Sequence, residues 1–459
     1  MDVLLIDPPW VIENRKNLWR KVGSTLPSLG LAYIAAVLEK NNISVRILDC
    51  TAEKISLSQI PSRLRRLNPS YVGITATTPL IKNALKIAEY CKAEYPMAKI
   101  ILGGIHPSFM PEEVLSDRNV DYVVRGEGEI TMLEICQGKP KEKIPGLSYR
   151  KGGHIVHNKD RPNVEDLNSI PAPAYHLLPM KKYKPAIGNY RRLPAMSIFA
   201  TRGCPGRCTF CQPTFGRKLR ARSAQSIISE IRLLKSKYGI KEINFYDDTF
   251  TAFRNVVFEF CDALIMQKID ITWSCFTRPD FLDEKILGAM KRAGCHLILM
   301  GIESADEQIL KNIKKAISLE HAKAIVRAAR KIGIDTRCSF MLGNPGETEE
   351  TIRKTIDFAL ELDPDEVQFN ITTAYPGTEM FEWADSRGYI STKDWSRYNM
   401  SETVMDLPTI SQEKLKMYYK AAHKKFYLRP RIILRRLLKI RNFAQLSQEL
   451  RGFAAVLGI

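Results

Sequence analysis

The chain is poor in the signals that settle a reading early. Among its 459 residues there is no run of 18 apolar residues, so no helical membrane span is expected, and no secretory leader pattern is found. Long low-complexity stretches are missing too. Hydrophobic residues at 45%, with charge interspersed, suit folded domains, two or three at this length. No Gly-x-Gly-x-x-Gly follows the first strand-like run, which disfavours a dinucleotide site. No Ser/His/Asp or Cys/His set of a hydrolase is evident. Acidic residues are in deficit: 69 Lys and Arg against 50 Asp and Glu leave a net charge of +19. Such an excess permits nucleic acid, anionic membrane or acidic substrate as partner without choosing among them.

Part of that excess is local. Between Lys420 and Ile459 stand ten basic residues (Lys420, Lys424, Lys425, Arg429, Arg431, Arg435, Arg436, Lys439, Arg441 and Arg451) against one acid, Glu449. The run Phe426–Leu438 mixes basic and apolar residues at near-helical spacing. It reads equally as a helix lying on an anionic membrane or as one packing its Leu and Ile face on the body of the protein.

What is present in concentrated form is cysteine. Cys204, Cys208 and Cys211 stand in Thr-Arg-Gly-Cys-Pro-Gly-Arg-Cys-Thr-Phe-Cys, a CxxxCxxC spacing. Ten cysteines scattered over the chain would give about 0.005 such triplets by chance. Three close thiolates suit three irons of a cubane cluster, with the fourth iron open to a non-protein ligand. A structural zinc site wants four ligands, and no second pair lies nearby; a zinc knuckle or a redox dithiol remains as the other reading. The other seven cysteines (Cys50, Cys91, Cys136, Cys261, Cys275, Cys295, Cys338) mostly sit in apolar runs and read as reduced core residues, which points to a reducing cytoplasm.

Two α/β regions are expected. In 1–137, strands at Val3–Asp7, Val45–Asp49, Tyr71–Thr75, Lys99–Gly103 and Tyr122–Arg125 alternate with helical patterns at Leu29–Glu39 and Leu80–Glu94. This order predicts βαβ crossovers and a doubly wound parallel sheet, Rossmann-like, with ligands outside the carboxyl ends of its strands. Residues 138–194, rich in Pro, Gly and basic residues, read as a connector. From 195 to 390 the alternation resumes, with strands at Ser197–Thr201, Glu242–Tyr246, Thr272–Phe276, Leu297–Glu303, Arg337–Leu342 and Val367–Thr372. Residues 391–459 are expected to be a helical basic region.

The cysteine run resembles the signature of the radical S-adenosylmethionine (SAM) superfamily. The second α/β region then corresponds to that family's partial (βα)₆ barrel, with chemistry at the C-terminal strand ends. The resemblance implies a [4Fe–4S] cluster held by Cys204, Cys208 and Cys211. Its open iron chelates SAM, which is cleaved to a 5′-deoxyadenosyl radical. Phe210 matches the aromatic position that meets the adenine. Asp247 and Asp248, in Phe-Tyr-Asp-Asp-Thr-Phe, replace the segment that binds the SAM amino group, unless they are a helix cap or solvated turn acids. Glu303, ending Met-Gly-Ile-Glu, is expected to face SAM, or to pair with Arg278 or Arg337. Either arginine is a candidate for the SAM carboxylate. Gly343, with Gly346, would let backbone near the adenine, and Tyr375 is a candidate substrate contact or turn residue.

The loops Asp7-Pro8-Pro9, Thr75-Ala76-Thr77-Thr78, Gly103-Gly104-Ile105-His106-Pro107 and Arg125-Gly126-Glu127-Gly128-Glu129 resemble those of the cobalamin-binding domain found ahead of many radical SAM domains. The candidate contacts are Thr75, Thr77, Gly103, Gly104, His106, Gly126 and Glu127. The DxHxxG loop that supplies a cobalt-binding histidine elsewhere is missing, which leaves His106 as a substitute to weigh.

Together these imply a cobalamin-dependent radical SAM enzyme. It would methylate an unactivated carbon by way of the 5′-deoxyadenosyl radical and methylcobalamin. The alternative is an oxidative cyclase or rearrangement enzyme on a tetrapyrrole or lipid; an RNA-modifying methylthiotransferase or a non-enzymatic sensor fits less well. A flavodoxin- or ferredoxin-like reductant, a small-molecule substrate and a cytoplasmic location follow, with the basic C-terminus allowing peripheral membrane contact.

Overall fold

Runs such as Val3-Leu4-Leu5-Ile6 are apolar on both faces, and both faces are covered: all four side chains are essentially inaccessible. The computed structural model describes residues 1–10, 24–65, 67–186 and 188–440, and beyond them 446, 450 and 452–454. Its first sheet has seven strands: β1 (Val3–Asp7), β2 (Val45–Asp49), β3 (Tyr71–Thr75), β4 (Lys99–Gly103), β5 (Tyr122–Val124), β6 (Leu147–Lys151) and β7 (His154–His157), in the order β2-β1-β3-β4-β5-β6-β7. The first five are parallel and the last two antiparallel. The chain reverses its winding between β1 and β3, which opens a crevice at the carboxyl ends of those strands. Helices α1 (Leu29–Lys40), α2 (Ile81–Glu94) and α3 (Glu129–Cys136) cover the faces.

The sheet runs past the expected boundary at residue 137. Gly152 and Gly153, both at positive φ (+56° and +83°), form the tight turn of the β6–β7 hairpin. The connector is therefore partly sheet. Its remainder fastens the two halves: Tyr175 donates to Glu230 on the second, and the Tyr183 hydroxyl donates to Asp49 on the first (2.7 Å).

The second sheet is an open half-barrel of six parallel strands, β8 (Ala195–Ile198), β11 (Glu242–Phe245), β12 (Thr272–Thr277), β13 (Cys295–Glu303), β14 (Asp335–Leu342) and β15 (Glu366–Ile371), in the order β15-β14-β13-β12-β11-β8. Between β8 and β11 lies a separate antiparallel ribbon, β9 (Thr201–Arg202) with β10 (Arg220–Ala221). The expected strand Ser197–Thr201 is thus broken in two. Outside pack α4 (Ala224–Tyr238), α5 (Arg254–Met266), α6 (Glu284–Arg292), α7 (Leu319–Ile332) and α8 (Glu349–Leu362).

The C-terminal segment is only partly helical. Trp395, Tyr398, Val404 and Met405 are buried in the core that also holds Val72, Ile74 and Leu102 of the first sheet. Helix α9 (Gln412–Tyr427) packs on edge strand β15, where the Tyr427 hydroxyl accepts from Val367 N (3.2 Å) and donates to Val367 O (2.6 Å). Helix α10 (Pro430–Lys439) turns its arginines onto the barrel: Arg429, Arg431 and Arg435 pair with Asp363, and Arg436 lies 3.9 Å from Glu366. Leu434, Leu437 and Leu438 are left exposed. Arg441 and Arg451 lie outside the described residues. Among the described residues no helix is long and apolar enough to cross a membrane.

Candidate active site

Ribbon β9–β10 pairs Arg202 with Arg220 and so pinches off the loop that carries the three cysteines. Gly203 (φ +89°) makes the pinch possible; a Cβ there would fall 2.3 Å from Lys218 O. The loop is braced from two barrel strand ends. Thr209 N donates to Ile313 O (3.0 Å), Met380 N to Thr209 O (2.9 Å), and Gln212 Nε2 to Pro376 O (2.7 Å).

Cys208 is buried, Cys204 half-buried and Cys211 reached by solvent. Cys204 and Cys208 flank Gly206, whose amide donates to Cys204 Sγ (3.4 Å); a Cβ on it would meet Cys204 Sγ, Cys208 Sγ and the Arg278 guanidinium. Desolvation in the concavity pushes the Cys204 thiol up, opposed by the Gly206 amide and Arg278. Among the described residues no three His, Cys, Asp or Glu side chains converge as on a single ion. A cubane asks for something else, one thiolate on each of three irons, and the donor set here is three sulfurs without a fourth protein ligand.

Between the cysteine loop and the first sheet lies a cavity of about 380 Å³. One wall is the carboxyl end of that sheet, with Leu5, Gly73, Thr75, Gly103, Gly104 and Gly126. The other is the barrel mouth, with Phe199, Arg202, Phe215, Tyr246 and Asp248. Cβ atoms placed on Gly30 or Gly126 would point into open space, so the cleft is kept wide by missing side chains. Gly104 (φ +98°) has a different reason: its Cβ would lie 2.9 Å from Ala76 O, so two loops meet only because it is glycine. A smooth, glycine-floored, mostly apolar cleft suits a broad flat ligand.

Comparison with known proteins agrees with this geometry. A model of the radical SAM superfamily matches residues 198–359, and one of the B12 binding domain matches 15–136. An uncharacterized methyltransferase of Pyrococcus horikoshii is 36% identical over 99% of this chain and 98% of its own. The chain belongs to the radical SAM superfamily. The anaerobic magnesium-protoporphyrin IX monomethyl ester cyclase of Rubrivivax gelatinosus is 29% identical over 93% of this chain and 78% of that protein. In fold, the chain is similar to the methyltransferase TsrM of Kitasatospora setae, solved with cobalamin and a [4Fe–4S] cluster bound (TM-score 0.69, 21% identity, 85% of this chain and 76% of that one). It is also similar to the cobalamin-dependent SAM radical enzyme OxsB (TM-score 0.76, 16% identity, 99% and 72%). As a cobalamin-binding radical SAM enzyme, the protein takes a [4Fe–4S] cluster, SAM and cobalamin as cofactors.

Within this radical SAM enzyme, the expected contacts separate. Thr75, Gly103, Gly104 and Gly126 line the cavity with Asp248. Asp248 makes no hydrogen bond of its own among those described, and partial desolvation by the surrounding walls raises its pKa. Phe210 packs against the shared core beside the loop. Thr77 keeps its buried hydroxyl unpaired but does not line the cavity.

Other residues are turned elsewhere. Both carboxylate oxygens of Asp247 are taken by the protein, accepting bonds from Ala200 N (2.9 Å), Thr201 N (3.0 Å) and the Thr201 hydroxyl (2.9 Å), which fixes the strand that leads to the loop. His106 is fully buried and is not among the residues that line the cavity; it lies edge-on to Trp395 with ring centroids 5.3 Å apart and Nε2 3.7 Å from Glu113. Arg337 is held by Glu366 and Asn189 near the start of its strand, away from the cysteines. Arg278 stays beside them, its Nη1 4.0 Å from Cys208 Sγ while Asp280 and Ala316 O fix its other nitrogens. The partner of Glu303 is Lys315 (3.1 Å), not either arginine, and Glu303 holds positive φ (+72°) at a register break in β13. Gly343 N is bonded to Glu347, and a Cβ on Gly343 would strike Leu415 of α9 (2.7 Å), so its glycine serves packing. Tyr375 donates to Tyr398 O (2.9 Å).

Sequence reasoning passed over Tyr33, Glu129, Arg202, Arg220 and Lys315. Arg202, two residues ahead of Cys204, and Lys315, in a Lys-Lys pair, carry no local sign of burial; both are buried.

Proposed function

We propose that the protein is a methyltransferase that moves a methyl group to an unactivated carbon of a small molecule, with SAM contacts from Asp248, Arg278 and the backbone about Phe210. The observation that supports this reading is the cavity between the glycine-floored sheet end and the cysteine loop, which would let a corrin and a cluster-bound SAM face one space. When bound, the cluster with SAM supplies the hydrogen-abstracting 5′-deoxyadenosyl radical and the corrin supplies the methyl group.

The chain's own part is placement. Asp247 fixes the approach to the cysteine loop, and the turn around Ile313–Ala316 holds both that loop and Arg278. The Asp248 carboxylate, on the cavity wall, would give the SAM ammonium a charge-assisted partner. The two halves together form the walls of the reacting space.

The Rubrivivax relative's name favours a second reading, oxidative ring closure with the same cofactors on a tetrapyrrole. A flavodoxin- or ferredoxin-like protein is the proposed electron donor. Peripheral membrane contact would use the exposed Leu434, Leu437 and Leu438, since the neighbouring arginines face the barrel.

Anaerobic reconstitution with iron, sulfide and hydroxocobalamin, followed by turnover with methyl-deuterated SAM and candidate tetrapyrroles and lipids, tests the reading. The expected result is deuterated methyl in the product alongside 5′-deoxyadenosine and S-adenosylhomocysteine. Product formation with 5′-deoxyadenosine and no label would replace methyl transfer by cyclisation.

A further inference from the structure

Four guanidinium groups converge on one residue at the end of α8. Asp363 closes that helix in the left-handed conformation (φ +47°) and is buried. Arg330, from the last turn of α7, donates from Nη2 to its carbonyl and to its Oδ2 (3.1 Å). Arg429 Nη2 donates to Oδ1 (3.1 Å), Arg435 Nη2 donates to Oδ2 (2.9 Å), and Arg431 Nη2 lies 3.3 Å from Oδ2. Among the described residues one further carboxylate reaches this group, Asp365, 3.9 Å from Arg435 Nη1. Four positive charges thus face two negative ones, a local excess that attracts anions. Burial and the crowding of Arg435 and Arg431 hold the Arg429 pKa below its ordinary value, against the pull of Asp363.

The four arginines are not equally engaged. Arg429 also gives Nε to Phe426 O (3.2 Å) and Nη1 to Leu360 O (3.0 Å), so its donors are spent on the protein. The Arg431 side chain is 67% exposed and makes no hydrogen bond among the described residues; that of Arg330 is 41% exposed and donates from Nη2 alone. Both reach the same Asp363 oxygen, so two guanidinium forks with N–H groups to spare stand side by side at the surface. Such a pair fits the oxygens of a phosphate. Helix α10 sets an apolar face beside it. Arg431, Leu434 and Leu438 follow at i, i+3 and i+7 along one side of the helix, and Leu437 flanks them. All three leucines are more than half exposed, while Ile432 on the other side is fully buried in the barrel's core. A soluble phosphate would use the arginines alone; the leucines beside them suit a phosphate that carries acyl chains.

We infer that Arg330 and Arg431 bind the headgroup phosphate of an anionic phospholipid, with Leu434, Leu437 and Leu438 entering the acyl boundary. The inference rests on the peripheral membrane contact proposed above and gives that contact a lipid class. A choline headgroup would bring its own positive charge to the arginine excess, so the site selects phosphatidylglycerol over phosphatidylcholine.

Flotation of the full-length reconstituted protein with vesicles provides the test, using phosphatidylcholine alone and phosphatidylcholine mixed with phosphatidylglycerol. The wild type is expected to float with the mixed vesicles and to stay behind with the neutral ones. Arg431→Gln should lower partitioning onto mixed vesicles about fivefold, the share of one arginine at an anionic surface. Lys143→Gln removes the same charge from an exposed lysine of the first half and should change partitioning far less. Leu438→Ser, at the most exposed of the leucines, should release the protein from the vesicles. Equal losses from Arg431→Gln and Lys143→Gln would reduce the binding to net charge and overturn the site. Undiminished binding by Leu438→Ser would overturn the lipid in favour of a polyanion such as nucleic acid. A leucine-dependent dimer seen by light scattering without vesicles would give the face to a second copy and overturn it as well. Equal flotation of the wild type with both vesicle types removes the phosphate site and leaves the membrane contact standing. Flotation with neither removes both, and a melting temperature then raised by inorganic phosphate in the wild type but not in Arg431→Gln would assign the arginines to a soluble phosphate.

Discussion

Asp247 and Asp248 are neighbours in sequence and opposite in role. Asp247→Ala would leave three buried donors unsatisfied, and a loss of about 1–3 kcal/mol in stability is expected by chemical denaturation. Asp248→Ala should unfold like the wild type and retain its iron, but lose the change that SAM produces in the reduced cluster's EPR spectrum. The Glu303–Lys315 pair makes a separate prediction. Lys315→Met should cost about 3–5 kcal/mol by stranding a buried carboxylate, and adding Glu303→Gln should restore most of it. His106→Ala is expected to destabilise the fold and leave the bound cobalamin's absorbance unchanged, since the ring packs on Trp395. Asp7 sets a pH dependence. Burial, then the nearby Asp49, raises its carboxyl to about 8. From about pH 4 upward the unfolded chain loses this proton while the folded one keeps it, so stability falls until pH reaches about 8. Asp7→Asn should flatten that fall in the melting temperature between pH 5 and 8.

At the scale of elements, strands β1, β3 and β4 could be read closely because each has an apolar centre buried on both faces and is bounded by turn residues, while edge strand β2 kept Val45, Ile47 and Leu48 as its signal despite the exposed Arg46. Helix caps were legible for the same local reason: Ser223 and Thr348 accept from the third residues beyond them. The β6–β7 hairpin was not, although Gly152-Gly153 between alternating runs is a hairpin signature; surrounding basic and proline-rich sequence made it look like linker. Tertiary partners also hid the break after β8, where Asp247 pulls Ala200 and Thr201 out of the strand line. The cysteine loop was legible as chemistry, while the direction of each charged side chain near it was not, because that depends on partners far away in sequence. Glu303 is the plain example: its partner Lys315 is presented by a turn whose geometry no local pattern encodes. Exchanging all three loop cysteines for alanine should leave ribbon β9–β10 and the fold in place, by circular dichroism, and abolish iron binding and SAM cleavage.

At the scale of the whole molecule, the two sheets share a core instead of meeting at a thin interface. Trp395, from the C-terminal segment, sits in the first sheet's core and donates from Nε1 to Glu113 (2.6 Å). Trp395→Ala is expected to cost about 3–5 kcal/mol and to broaden unfolding into two transitions as the halves come apart. The half-barrel raises a question that a closed barrel does not. Its last strand, β15, is an edge, and an open strand edge invites another chain to pair with it. The Tyr427 hydroxyl, taking a bond from Val367 N and giving one to Val367 O, occupies the same two groups a neighbouring strand would use. A phenol thus impersonates a strand, and quarantines the incomplete barrel from templated aggregation at the point where its sheet stops.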